Sequence, residues 1–166
     1  MKIHKGVKLS KAQLQTWRIG DIFLVENLDG TRSVGQVVSQ EKKVLNCVSC
    51  AFFDRRMDSD DIQDNLQPLV LELIFAVLFV TRDLLDNGTW RVVGHMPIML
   101  PSDLLPYESL RSSGYVGAKI VGSANVNEFL NAFYGLSPWD DWKDPAYLDK
   151  LLISPDKKPS NLKFKH

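Results

Sequence analysis

At 166 residues, with 45% hydrophobic and 24% charged side chains, the chain suits one folded domain spanning residues 1–166 and excludes wholesale disorder. Twenty basic and twenty acidic residues cancel, which argues against a phosphate-binding surface and so against nucleic acid as the partner. The first residues lack the continuous apolar stretch of a secretory signal, and no segment reaches the roughly twenty apolar residues of a membrane span, so the expected location is the cytoplasm with no membrane partner.

In chain order, residues 1–9 read as loosely ordered and residues 10–17 as a short helix, with Ser10 at the N-cap and Gln13 completing a capping box. Residues 21–27 and 33–39 predict a β-hairpin turning through Asp29-Gly30, and Gly35 within its second strand marks a bulge or a close backbone approach. Residues 44–53 form the third strand and carry Cys47-x-x-Cys50. Side chains three apart on a strand point to opposite faces, so the two thiols cannot share a metal and read as reduced structural cysteines.

Residues 55–67 are polar and acidic and accommodate one or two helical turns. The apolar residues 69–80 read as a central fourth strand, buried on both faces. Residues 89–98 form the fifth, and the two read as paired buried strands joined by the turn-rich connection 83–88. Pro97, Pro101 and Pro106 then interrupt regular structure, and residues 115–121 offer one further short strand. Val126, Phe129, Leu130 and Phe133 define an amphipathic helix over 125–134, capped by Asn125 and stopped at Gly135. Asp144 and Pro145 start a last short helix ending near Leu152, and residues 157–166 read as loosely ordered. These elements predict an α+β fold on a curved, mostly antiparallel sheet of five or six strands, a partly closed barrel being one form of it, with short helices near the chain ends.

Chemistry leaves little trace in this pattern. The chain holds no nucleophile elbow, phosphate-binding loop or zinc-protease helix motif, and no catalytic, metal or cofactor residue is assigned. His95, the one histidine away from the termini, ends an apolar strand with no carboxylate at a telling spacing, and reads as a buried, hydrogen-bonded structural residue. The acidic stretch holding Asp54, Asp58, Asp60, Asp61 and Asp64 lacks the glycine and glutamate of a calcium loop. It is either a solvated loop or a patch facing a basic partner. Trp139-Asp140-Asp141-Trp142 also has two readings, packing of the last helix onto the sheet or anchors for a partner.

The hairpin residues Gly20-Asp21-Ile22-Phe23-Leu24-Val25 and Gly35-Gln36-Val37-Val38, with Phe79-Val80, Gly88-Thr89-Trp90 and Val93-Gly94-His95-Met96-Pro97-Ile98, give the chain its resemblance to a known family. It resembles the immunity protein 26 family of bacterial polymorphic toxin systems, and the 138–152 tail is similar to one branch of it. The resemblance implies a cytoplasmic, non-catalytic protein that binds a cognate toxin and neutralises it by steric occlusion. An acidic contact face, with Asp54, Asp58, Asp60, Asp61, Asp64, Trp139, Asp140, Asp141 and Trp142 as its residues, points to a basic toxin, such as a nuclease. The alternatives are a barrel-type nucleic-acid-binding module, which the neutral charge disfavours, and a hydrolase, which lacks a nucleophile and base pair.

Overall fold

The computed structural model describes residues 14–41, 47–58, 69–101 and 119–166. The predicted hairpin forms as β1 (Asp21–Glu26) and β2 (Arg32–Glu41), turning at Gly30, whose φ of +83° suits a residue without a side chain. The third strand, β3 (Cys47–Met57), runs longer than predicted. Arg55 to Met57 remain extended because Arg56 and Met57 pair with Ser33 and Arg32 across a bulge, which replaces the helical turn expected there. The rest of that predicted turn, and the start of the third strand at 44–46, lie outside the described residues.

The apolar run splits. Leu71–Leu73 form a 3-10 turn, and β4 (Ile74–Val80) begins where Ile74 takes up its pairing with Phe53. A one-turn helix, α1 (Asp83–Asp86), fills the connection to β5 (Arg91–His95). The sixth strand, β6 (Ile120–Val121), is the described remnant of the strand predicted over 115–121. The main helix, α2 (Ser123–Phe133), starts two residues before the predicted Asn125 cap. The Thr81 hydroxyl accepts the Ser123 amide at 2.9 Å, and the Ser123 hydroxyl donates to Asp83 at 2.7 Å, so contacts from the β4–α1 connection fix the helix start. Gly135, at φ +72°, stops the helix as predicted. Of the first predicted helix, residues 14–18 are not helical and 10–13 lie outside the described residues.

The sheet order is β5-β1-β2-β3-β4-β6, antiparallel except for the parallel β4–β6 pair. It is open, which corrects the partly closed barrel. It also separates β4 from β5, the two strands read as partners: β5 pairs with β1 at the opposite edge. The central position falls to β2 and β3.

Both faces of the sheet are covered. On one, Phe23 stacks on Trp90 at 5.1 Å between ring centroids, Phe75 stacks on Phe133 of α2 at 3.7 Å, and Phe129 and Trp139 extend the cluster. On the other, Ile22, Leu24, Val34, Phe53 and Ile74 pack with Leu69, Leu71, Met96 and Leu100. Cys50 belongs to the first face and Cys47 to the opposite one, both buried and neither in a disulfide, as strand alternation requires.

Candidate functional site

The acidic stretch begins on β3. Asp54 and Asp58 are exposed there, whereas Asp60, Asp61 and Asp64 lie outside the described residues. The neighbouring Arg56 bridges two elements: it pairs with Asp29 of the hairpin turn at 3.3 Å, and its guanidinium lies 4.7 Å over the ring of Tyr134, the residue that ends α2. Burial raises the Tyr134 hydroxyl well above the usual phenol range, and the Asp54 carboxylate adds to the rise. Asp54 therefore sits where the hairpin, β3 and the end of α2 meet.

The tail is more internal than its composition implies. Trp139 is only 1% exposed, and its indole N–H donates to Asp149 at 2.9 Å, so it packs and leaves no surface for a partner. Asp140 accepts backbone N–H groups from Lys165 at 2.6 Å and His166 at 3.3 Å, and the Lys165 contact chiefly holds its carboxyl below the usual range. Asp141 is exposed and paired with Lys165 at 2.9 Å. Trp142 is half-buried, its ring tilted against Tyr147 at 4.9 Å. Residues 157–166, read as loosely ordered, run beside this segment: Pro138 bridges to Lys163, and the Trp139 amide donates to the Lys163 carbonyl. The helix predicted from Asp144 to near Leu152 is a 3-10 turn, Leu148–Leu151, behind Asp144, whose carboxylate accepts the Ala146 amide, and a second 3-10 turn follows at Pro155–Lys157.

His95 departs from its reading as a buried residue: its side chain is 41% exposed. It is hydrogen-bonded, through Nδ1, to the carboxylate of Asp21 at 3.0 Å, a partner 74 positions away that β1–β5 pairing brings alongside. Asp21 is itself buried and also accepts the Arg18 amide at 3.0 Å. The approach requires Gly20. Its φ is +98°, and a β-carbon there would stand 2.5 Å from His95 Cε1. The signals in sequence were Gly20-Asp21 and Gly94-His95, two glycine-led polar pairs in apolar strands.

A cavity of about 250 Å³ lies at the β4–β6 edge, with Val77, Phe79, Lys119, Ile120, Tyr147 and Leu151 among its walls. Neither Asp54 nor His95 lines it, so it does not provide the catalytic cleft that a hydrolase would place around either. Among the described residues, no three His, Cys, Asp or Glu side chains gather as a metal-ion site, and no helix is long and apolar enough to cross a membrane.

Residues 18–125, well over half of the chain, match the family model described as Immunity protein 26. Comparisons with curated proteins and with solved structures returned no match. The matched span holds the hairpin, Asp54, Asp21 and His95, and stops short of the Trp139–Trp142 tail.

Proposed function

We propose, from the premise that the chain belongs to the immunity protein 26 family, that it binds a cognate toxin and neutralises it by covering the toxin's working surface. Membership makes it an immunity protein of a toxin system. The match over residues 18–125 is the observation that carries this reading, and it favours a role played by contact over one played by catalysis. The proposed contact face is acidic: Asp54 and Asp58 with Asp60, Asp61 and Asp64 on one segment, Asp140, Asp141 and Trp142 on the tail. Trp139 supports that tail from beneath. Such a face suits a basic toxin, a nuclease being the first class to test, because complementary charge speeds encounter and sets orientation. The cytoplasm, where the toxin would meet its target, is the proposed site of action.

Neutralisation by occlusion requires that almost no toxin remain free, so the expected affinity is nanomolar or tighter. The experiment is co-expression with the toxic domain encoded beside this chain. Growth rescue and a stable co-purified complex support the proposal, while no complex at micromolar concentrations of both proteins sinks it.

A further inference from the structure

The cavity at the β4–β6 edge has apolar walls and hydrogen-bond donors at its rim. Leu78, Tyr147 and Leu151 line it, and all three belong to the cluster that holds Phe129 and Trp139. Ile120 closes it on the β6 side. At about 250 Å³ it far exceeds the water-sized voids that close packing leaves inside a domain. A dry apolar cavity of roughly 150 Å³ admits benzene, so this one has room for a chain of about eight carbons.

The charged groups at this cavity share one sign. Lys119 and Lys150 line it, and no carboxylate does among the described residues. Lys119 is exposed just before β6, and the Lys150 side chain is 61% exposed, which puts both ammonium groups toward solvent, at the mouth. Among the described residues, none pairs with Lys119 and none bonds to the Tyr147 hydroxyl. Lys150 meets Asp144 at 2.6 Å and keeps two further N–H donors for a second acceptor. Apolar walls below two cationic donors are complementary to an amphipathic anion, whereas a cation would meet like charge there.

We propose that this cavity binds a small organic monocarboxylate, its hydrocarbon body against Leu78, Tyr147 and Leu151 and its carboxylate at Lys119 and Lys150. The site stands independently of the toxin reading, because it uses none of the acids proposed to face the toxin. A bound ligand ties β4, β6 and the Leu148–Leu151 turn together, three elements far apart in sequence. It therefore stabilises the folded state increasingly as its concentration rises.

The probes are octanoate and octylammonium, which share a chain and differ in the sign of the head group. Each is titrated into the full chain and followed by amide NMR shifts and by thermal unfolding. Octanoate should bind with a Kd of about 0.1–1 mM, move the amides of Leu78, Ile120 and Leu151 first, and raise the unfolding midpoint by a few degrees near saturation. Octylammonium should produce no saturable shift at these amides. Lys119→Glu alters an exposed side chain, so the variant should fold as wild type does, and it should bind octanoate about ten-fold more weakly. The site is overturned by any of three results: no saturable shift at about 10 mM octanoate, shifts centred away from these residues, or equal affinity for octylammonium or in Lys119→Glu. Toxin binding is a separate measurement, and its failure leaves the octanoate result standing.

Discussion

The ring of Phe23 lies over the α-carbon of Gly35, its cross-strand partner, so that a β-carbon at position 35 would overlap Cζ and Cε2 of the ring. The bare backbone there lets Phe23 lie flat and stack on Trp90, with their planes 4° apart. Gly35→Ala should therefore cost about 1–3 kcal/mol through overpacking. Urea unfolding of Gly35→Ala, Phe23→Leu and the double variant checks this. The double variant should lose less than the sum of the two singles, because a smaller side chain at 23 removes the overlap.

Gln15 does the work of a missing strand at the β5 edge. Its side-chain amide donates to the carbonyls of Leu85 at 2.7 Å and Trp90 at 2.8 Å, and its oxygen accepts the Val92 amide at 3.0 Å. Gln15→Ala strands all three groups at a partly buried edge and should lower stability by about 1–3 kcal/mol. Hydrogen exchange gives the local readout: the Val92 amide should lose protection well before amides in β2 and β3.

Cys47 and Cys50 are buried on opposite faces of β3, and burial raises both thiols above their ordinary range. Neither should react with a thiol reagent in the folded protein, and both should react promptly in denaturant. A folded-state disulfide between them, detected by mass spectrometry after mild oxidation, would contradict the strand geometry.

These features differ in how far the sequence discloses them. The Asp29-Gly30 turn, the Gly135 helix stop and the alternation of Cys47 and Cys50 follow from rules acting over a few residues, and each is found where the pattern puts it. Strand order is not local. The short connection 83–88 invited a β4–β5 hairpin, but α1 and the burial of Leu85 and Trp90 carry the chain across to β1. The candidate site shares that difficulty. The exposed acids were legible as charge, but Asp21 and His95 meet only once β1 and β5 pair, and the two readings of Trp139, packing or anchor, are separated only when Phe129 and Asp149 enclose it.

Asp149 couples the tail to acid stability. Its carboxyl is held below the ordinary value of 3.8, chiefly by the hydrogen bond from Lys158 and further by the Trp139 indole. A lowered value in the folded state means that its ionised form adds stability above the ordinary carboxylate range, and that this is lost as pH falls below 3.8. Asp149→Asn keeps an acceptor for the indole and loses the charge. The variant should be less stable than wild type at neutral pH, and the gap should narrow steadily on acidification through that window, as followed by thermal unfolding. A gap independent of pH would exclude the charge as its source.

Charge on the proposed acidic face acts mainly on encounter, and the internal pairing of its acids predicts an order of effects. Asp54 is exposed, whereas the field of Asp141 is offset by Lys165 at 2.9 Å. Asp54→Lys should slow association with a basic toxin more than Asp141→Lys, roughly two- to five-fold against less than two-fold at low salt. Lys165→Ala should do the reverse, because it uncovers Asp141 and speeds association. All three effects should shrink as added salt shortens the range of the field, with dissociation rates little changed. Stopped-flow mixing across a salt series resolves the two rates; faster association in Asp54→Lys would mean that this acid faces an acidic surface of the partner, and an unchanged rate that it faces none.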